Sequence, residues 1–147
     1  MKLKQISISI ENSPGRLLEV TNALGEAGIN LRALNLVDIG HFGLLRLLVS
    51  DVATTRRIIM GKHLPAHIDE VVAAEIEDEP GSLATVLKPL LDANVNIEYM
   101  YAFSGTTSGK AVMVFRFSDN DKAIGILKQS GVNLLDAESF GILETKS

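Results

Sequence analysis

Near the start of the chain, between Leu3 and Ile10, the apolar Ile6, Ile8 and Ile10 alternate with Gln5, Ser7 and Ser9, which predicts a β-strand with one buried face. Apolar residues then recur at helical spacing from Leu17 to Leu24, and Gly28 supplies a C-terminal stop for the predicted helix. Ser13 is placed to cap the first turn of this helix, and Pro14 stands at an early helical position. The pattern therefore predicts a strand followed directly by a helix.

Two further apolar runs, Ile29 to Ile39 and Phe42 to Val49, flank the hairpin signal Gly40-His41. Ser50-Asp51 then caps a short helix, and a strand-like pattern returns from Ile68 to Ile76. The predicted order of elements in this part of the chain is β-α-β-β-α-β.

The same order occurs twice. Pro14-Gly15 and Pro80-Gly81 stand in matching segments 66 residues apart, and the match continues from Gly28-Ile29-Asn30-Leu31 to Asn94-Val95-Asn96-Ile97. The second half predicts a strand ending at Glu77, a helix from Pro80 to Ala93, strands Val95 to Phe103 and Ala111 to Phe117, a helix from Asp119 to Gln129, and a last strand from Val132. We therefore predict a tandem duplication with domains at residues 1–70 and 71–147.

The predicted fold class is α+β, with two ferredoxin-like βαββαβ units, each a four-stranded antiparallel sheet with two helices on one face. The second and third strands nevertheless carry apolar residues at both odd and even positions, as in Leu44 and Leu45, so both faces of these strands are apolar. Because helices cover only one face, the open face or edge must be covered by the other half or by a second chain. A mean hydropathy of +0.22 with only 5% aromatic residues agrees with this. We therefore expect a homodimer.

Composition excludes several classes of protein. The 147 residues are 46% hydrophobic and 22% charged with a net charge of −4, and the absence of cysteine rules out disulfides and thiolate metal sites. No cluster of basic residues exceeds Arg56-Arg57, so nucleic acid is not an expected partner. The sequence shows neither a signal-peptide pattern nor an apolar run near the roughly 20 residues of a membrane helix. We expect a cytoplasmic protein without a membrane partner.

No converging set of nucleophiles, bases or metal ligands stands out. His63 and His67 have the spacing of a zinc pair, but Pro65 breaks the helix that would align them, so loop histidines are the better interpretation. The segment Gly105 to Lys110 faintly resembles a phosphate loop, yet it joins two predicted strands and is interpreted as a hairpin loop. We expect no catalysis, no cofactor and no metal.

The repeated turn before each first helix carries the most informative chemistry. Asn12 stands two residues before Pro14, and Asp78 stands two residues before Pro80, so each places a short polar side chain beside unsatisfied backbone N–H groups at a positive helix end. Such a geometry suits a carboxylate, and the glycine after the proline lets a ligand approach the backbone. The alternative interpretation is that these are ordinary turn and cap residues.

The Asn-x-Pro-Gly-x-Leu turn, the following helix, the Gly-Ile-Asn-Leu exit and the βαββαβ order resemble the ACT domain, and the resemblance covers essentially the whole chain, twice. ACT domains are small-molecule sensor modules, found for instance in the regulatory ends of phosphoglycerate dehydrogenase and aspartokinase, and they typically bind amino acids at interfaces between paired domains. The chain is also similar to small bacterial proteins of two ACT domains, in which the segment here at Ile97 to Tyr101 recurs.

This resemblance implies a non-catalytic regulatory protein that binds an amino acid at an interface between ACT units. The alternative is a ligand-free module that regulates a separately encoded metabolic enzyme through protein contact. By match, Asn12 and Asn30 contact the ligand in the first unit, with Asp78 and Asn96 as counterparts in the second. The expected ligand-binding residues are Asn12, Ser13, Gly15, Asn30, Leu31, Asp78, Gly81, Asn96 and Tyr101.

Three details bear on specificity. Serine-binding dehydrogenases of this type carry a His two residues before the turn Asn, where this chain has Ile10 and Ile76. The Asp78 carboxylate only accepts hydrogen bonds and favours an ammonium group, whereas an Asn amide both donates and accepts. Tyr99 and Tyr101 share a strand face by parity, where they wall a pocket or an interface or serve simple packing.

Overall fold

The computed structural model describes residues 1–103 and 109–144, so most of the predicted Gly105 to Lys110 loop lies outside the described residues. The described elements, in chain order, are β1 (Leu3–Glu11), α1 (Arg16–Glu26), β2 (Leu31–Asp38), β3 (Phe42–Val49), α2 (Val52–Gly61), β4 (Ala66–Glu77), α3 (Ser82–Asp92), β5 (Ile97–Phe103), β6 (Lys110–Phe117), α4 (Asn120–Gln129), β7 (Asn133–Leu135) and α5 (Ala137–Phe140). No described helix combines the length and apolar character that crossing a membrane requires.

The chain packs into two compact units. The N-terminal unit comprises residues 4–69 together with the chain from Ala137 onward, and the C-terminal unit comprises Met1–Leu3 and Glu70–Asp136. The division falls inside β4, because the predicted last strand of the first repeat and first strand of the second form one 12-residue strand. The domain boundaries at residues 1–70 and 71–147 describe the repeat in the sequence, whereas the compact units describe how the chain packs. The repeat boundaries stay a prediction.

The N-terminal unit has the strand order β2-β3-β1-β4, with antiparallel pairing of β1 and of β2 to β3. Ile8 lies opposite Leu45, which lies opposite Leu36 on the other side. Leu24 of α1 and Ile59 of α2 are fully buried.

The expectation of one buried face on β1 is wrong, because Gln5 and Ser7 are as buried as Ile6 and Ile8. The buried polar groups are paired, since Gln5 Nε2 donates to Ser7 Oγ and the Ser7 hydroxyl donates to Asp69.

The C-terminal unit repeats this plan in the order β7-β4-β6-β5. Its strand pairs are also antiparallel, with Ala74 opposite Met113 and Ala102 opposite the same residue. At the centre of its core, Phe115 is fully buried and stacks on Phe117 with ring centroids 5.0 Å apart. The predicted α+β fold of two antiparallel βαββαβ units is confirmed.

The predicted start of the first helix is wrong at Ser13. Helix α1 begins only at Arg16, after Gly15 in the left-handed region with φ 89°, and α3 begins in the same way after Gly81 with φ 86°. The Ser13 N–H donates to the Glu11 carbonyl at 2.9 Å, and Pro14 lies in the turn before the helix. A glycine that redirects the chain into the helix leaves the preceding serine too early to cap it.

The end of the chain also differs from the prediction. The last strand, β7, has only three residues and pairs with β4, with Leu134 opposite Ala74. Helix α5, which the sequence pattern did not predict, follows it, and the backbone of Leu143 then bonds to Ser50 and Val52 within the N-terminal unit. A four-residue helix is too short to produce a recognisable apolar period.

The predicted cap at Asp51 is confirmed. Its carboxylate accepts the Thr54 N–H at 3.1 Å and the Thr54 hydroxyl at 2.8 Å, and these hydrogen bonds lower the pKa of Asp51 below its ordinary value. Ser118 and Asp119 occupy the same positions before α4. The Asp119 carboxylate caps that helix by accepting the Lys122 N–H at 3.1 Å.

We expect the Asp51→Ala variant to lose about 1 kcal/mol of unfolding free energy at pH 7, because the first turn of α2 loses its cap. Because the folded pKa is lowered, the stability due to the carboxylate charge is present above the unfolded value of about 3.9 and is lost as the pH falls through the folded pKa. The Asp51→Asn variant keeps a capping oxygen without the charge. Urea unfolding at pH 7 and pH 3 should show the wild type losing its advantage over Asp51→Asn at the lower pH, and a constant advantage would contradict this account.

Candidate ligand site at the repeated turns

The turn between β1 and α1 exposes the start of a helix to its surroundings. Gly15 and Gly81 are the residues immediately before α1 and α3, and neither helix start has a side-chain cap. The first-turn N–H groups of a helix have no partner within the helix, and the helix dipole makes that end positive. Each turn therefore offers a place where a carboxylate is stabilised.

Asn12 ties this turn to the β2–β3 hairpin. Its Nδ2 donates to Asp38 Oδ1 at 3.0 Å and to the Gly40 carbonyl at 3.3 Å, and the Gly40 N–H also donates to Asp38 Oδ1 at 3.0 Å. Both N–H groups of the amide are thereby used, while its carbonyl oxygen takes part in neither bond. The amide oxygen of Asn12 is therefore not used in the bonds that tie the turn to the hairpin.

A small hollow lies beside each turn. The N-turn hollow, of about 90 Å³, is lined by Ile10, Glu11, Asn12, Ser13, Leu17, Leu36, Asp38 and Gly43. The C-turn hollow, of about 440 Å³, is lined by Ile76, Glu77, Asp78, Glu79, Ser82, Leu83, Ala102, Ala111 and Met113. Most lining positions of the two hollows are equivalent in the repeat, although Asp38 lines only the first hollow and Ser82 and Met113 line only the second. The two hollows therefore occupy the same place in each unit and differ in size and charge.

Two residue differences between the repeats account for the different size and charge of the two hollows. The leucine side chain of Leu36 fills space in the N-turn hollow, and its counterpart in the C-turn hollow is the much smaller Ala102. Asp78 replaces Asn12 and adds a carboxylate between Glu77 and Glu79. The C-turn hollow is therefore larger and more acidic than the N-turn hollow.

Asn30 and Asn96 do not reach these hollows. The Asn30 N–H donates to Ser50 Oγ at 2.8 Å, and the Ser50 N–H returns a bond to the Asn30 carbonyl at 2.9 Å. Asn96 and Ser118 form the same pair at 3.1 and 2.9 Å. Asn12 and Asn30 flank opposite ends of the 11-residue α1, which spans about 16 Å at 1.5 Å per residue. The backbones of Asn30 and Asn96 therefore join the start of β2 to the end of β3 and the start of β5 to the end of β6. Both places are far from the turns.

The remaining predicted residues are divided between these places. Ser13 lines the N-turn hollow, whereas Leu31 begins β2 opposite Val49. Tyr101 is buried on β5 opposite Val114 and lines neither turn hollow. Sequence reasoning missed the hairpin residue Asp38, whose only signal was its place just before the predicted Gly40 turn.

A second pair of hollows is lined by residues of the same strand ends. One, of about 480 Å³, is lined by Arg16 and Phe42 among others, and the other, of about 300 Å³, has Lys110 in the position equivalent to Phe42. Arg16 pairs with Glu11 at 3.0 Å in the first, and Lys110 pairs with Glu77 at 3.5 Å in the second. The strand-end glutamate has thus kept a cation in both units while the element that supplies the cation has changed.

The histidines were interpreted as loop residues, which holds for His63 in the turn after α2 but is wrong for His67, which lies in β4 with Nε2 3.3 Å from Asp69 Oδ2. The alternating strand pattern extends two residues earlier than Ile68. Within residues 1–103 and 109–144, no group of three or more His, Asp or Glu side chains is arranged to hold a metal ion.

Comparison with known protein families assigns the chain that carries these repeated turns to a family. The family model described as the ACT domain pair matches residues 1–142. The chain belongs to the ACT domain pair family. ACT domain pairs are regulatory, ligand-binding modules, so the repeated turns lie in a fold that is used for this purpose.

Solved structures agree with this membership. This ACT domain pair is similar to protein BT0572 from Bacteroides thetaiotaomicron, with 40% identity, a TM-score of 0.91, and coverage of 97% of this chain and 98% of that one. It also shares its fold with the ligand-free regulatory subunit of aspartate kinase from Thermus thermophilus, at 16% identity, a TM-score of 0.61, and coverage of 86% and 91%. A comparison with functionally curated proteins returned no match.

A longer solved chain also contains this fold as a part. Aspartokinase III from E. coli, solved with aspartate and ADP, matches at 16% identity and a TM-score of 0.56, with 88% of this ACT domain pair covering 32% of that chain. The likeness at this identity concerns the fold alone. It shows that the same pair of units occurs within a chain about three times as long.

Proposed function

We propose that this ACT domain pair is a non-catalytic sensor that binds a free amino acid at its repeated turns, between two copies of the chain. The observation that carries the proposal is the pairing, at each turn, of an uncapped helix start with an acceptor oxygen from Asn12 or Asp78. These two features have opposite electrostatic preferences, and residues of the turn line the same hollow as residues of the first helical turn in each unit.

A zwitterionic amino acid fits both preferences at once. Its carboxylate is stabilised by the first-turn N–H groups of α1 or α3. Its ammonium group donates to the carbonyl oxygen of Asn12, whose N–H groups are occupied by Asp38 and Gly40, or to the carboxylate of Asp78. The apolar residues of each hollow are left to contact the side chain of the ligand.

The distance between Asn12 and Asn30 supports a site that two copies share. About 16 Å of helix separates the two positions within one unit, which is longer than a single amino acid. A ligand that contacts both asparagines therefore takes one from each of two copies. Binding then stabilises the homodimer relative to separate chains, which is how an interface ligand shifts a structural equilibrium.

One observation favours a second candidate function. The N-turn hollow holds only about 90 Å³, and the amide of Asn12 is already bonded within the unit. These features suit a module that has kept the fold without a ligand and regulates a separately encoded metabolic enzyme through protein contact. The two candidates differ in whether free amino acids stabilise the chain.

We expect one chemical class of amino acid to raise the melting temperature of the wild type, because a ligand present at 100 times its Kd stabilises the folded state by about 2.7 kcal/mol. The shift should be lost or reduced in Asn12→Ala and Asp78→Ala, each measured against its own ligand-free melting temperature. Asn22→Ala is the matched control, since Asn22 lies exposed on α1 away from the turn.

The outcomes separate the two candidates. A shift that survives in Asn22→Ala and falls in the turn variants supports an amino-acid sensor and locates its site. If none of the twenty amino acids shifts the wild type at millimolar concentration, the sensor proposal fails and the enzyme-binding module becomes the leading function. A shift that is equal in all four proteins would place the ligand elsewhere.

A further inference from the structure

One position on the second strand of each repeat differs in side-chain size and lines the turn hollow of its own unit. Leu36 on β2 lies opposite Leu45, and Ala102 on β5 lies opposite Met113, so Leu36 and Ala102 are equivalent in the strand pairing. The hollow holds about 90 Å³ where the leucine lines it and about 440 Å³ where the alanine does. The larger side chain therefore accompanies the smaller hollow.

The Leu36 side chain is directed into the N-turn hollow. A Cβ added at Gly43 would stand 3.2 Å from Leu36 Cδ1 and 3.7 Å from Ile10 Cγ1, so the tip of the leucine lies over the glycine. Gly43 pairs with Ile10, and Ala111 pairs with Ile76 in the C-terminal unit, which makes Ala111 the counterpart of Gly43. A large residue over a small one in the first unit has thus become two small residues in the second.

The smaller side chain on β5 also changes which residues line the hollow. Leu45 is fully buried opposite Leu36, whereas Met113 lines the C-turn hollow opposite Ala102. The unbranched thioether of methionine adapts its shape to a neighbouring apolar group. Together with Ile76, Leu83 and Ala111, these two residues give the C-turn hollow an apolar lining beside its polar turn.

We propose that the residue at this position sets the class of amino acid that each turn binds. With Leu36, the N-turn hollow accepts the smallest side chains, those of glycine and alanine. With Ala102, the C-turn hollow accepts large apolar side chains, such as those of leucine and phenylalanine. This inference rests on the proposed function, because it assigns a ligand class to each of the amino-acid sites proposed there.

The volumes agree with this division. At about 30 Å³ for each water molecule of the liquid, the N-turn hollow has the space of about three waters and the C-turn hollow that of about fifteen. The ammonium and carboxylate groups are common to all amino acids, so the remaining space decides which side chain fits. A leucine ligand in the N-turn hollow would have to displace Leu36 from its place over Gly43, and overpacked sites resist such insertion.

The charges of the C-turn hollow restrict its ligand further. Asp78 and Glu79 line the hollow, as does Glu77, which pairs with Lys110 at 3.5 Å. A ligand with a carboxylate in its side chain would bring like charges together, which opposes binding. Leucine is therefore the expected ligand class here, and glutamate, whose side chain has a similar length, is not.

Exchanging the two residues tests the assignment. Ala102→Leu should weaken the binding of leucine and phenylalanine by at least about tenfold, because a mismatch of even one methylene in an apolar pocket discriminates by about 10–200-fold. Leu36→Ala should open the N-turn hollow to the same two ligands and so raise the number that bind from one to two per chain. Glycine should bind Ala102→Leu as it binds the wild type.

Two controls change leucines outside the hollows. Leu34→Ala removes a leucine that is 50% exposed on the same strand as Leu36 and lines neither turn hollow. Ala27→Leu adds a leucine at the exposed end of α1. Both variants should bind as the wild type does. Isothermal titration calorimetry of the full chain with glycine, alanine, leucine, phenylalanine and glutamate gives the Kd and the number of sites.

Weaker leucine binding in Ala102→Leu together with a second leucine site in Leu36→Ala supports the proposal. Should Ala102→Leu fail to fold, the number of sites in Leu36→Ala decides the question by itself. Unchanged leucine binding in both variants overturns the assignment, and so does glutamate binding more tightly than leucine to the wild type.

The same titrations separate this proposal from the function on which it rests. If amino acids bind the wild type and lose affinity in Asn12→Ala or Asp78→Ala, but the exchange at Leu36 and Ala102 leaves their preference unchanged, the ligand classes are wrong and the sensor stands. If none of the twenty amino acids binds the wild type or Leu36→Ala, both proposals fail.

Discussion

Replacing Phe115 with alanine is expected to lower the free energy of unfolding of the C-terminal unit by about 3–5 kcal/mol. The side chain is fully buried on β6 and stacks on Phe117 with ring centroids 5.0 Å apart. Its removal takes away the transfer free energy of a large aromatic group and leaves a cavity that a close-packed core only partly refills. Urea unfolding followed by circular dichroism measures the loss.

Phe42→Ala is the matched control for this change. Phe42 begins β3 in the N-terminal unit and is 42% exposed, so its removal leaves no enclosed cavity. We expect an effect well below that of Phe115→Ala on the free energy of unfolding. Equal losses in the two variants would show that burial in the structure does not describe the packing of Phe115.

Alanine substitutions at two glycines of the same segment are expected to have opposite signs. Gly15 has φ +89°, a conformation that costs an L-residue about 1–2 kcal/mol, and no heavy atom beyond its chain neighbours lies within 4 Å of where a Cβ would stand. Gly15→Ala should therefore destabilise the chain through the backbone alone. If the proposed amino-acid site lies at this turn, the same variant should also show a smaller ligand-induced rise in melting temperature, because the turn no longer holds the helix start in place.

Gly25 provides the control inside α1. It has no positive φ and equally open surroundings, so Gly25→Ala should stabilise the chain by about 0.5–1 kcal/mol through the lower conformational freedom of alanine in the unfolded state. Thermal unfolding of both variants beside the wild type measures the two signs. If Gly15→Ala is neutral, the left-handed entry to α1 is not required by the fold.

The order and type of the elements were accessible from local patterns. Alternation predicted β1, helical spacing predicted α1, and the left-handed Gly28 with φ +75° ends that helix as predicted. The errors fall where a local pattern is ambiguous. Ser13 has the chemistry of a cap, but the conformation of Gly15 decides where the helix begins.

The candidate site was accessible only in part. Asn12 and Asp78 could be found because they recur at the same place in both repeats. Asp38, which bonds to Asn12, lies 26 residues along the chain and in no repeated motif. A hydrogen bond between distant segments leaves no periodicity, so only the folded hairpin reveals that Asn12 presents its carbonyl oxygen.

Periodicity, turn residues and the internal repeat were enough to establish a duplicated βαββαβ chain, because these signals arise from neighbours a few residues apart. The tertiary structure decided which of the duplicated features remain alike. It gave the two turns hollows of about 90 and 440 Å³ and left β2 with exposed leucines. These properties depend on side-chain volume and pairing across strands, which are set by residues that meet only after the chain has folded.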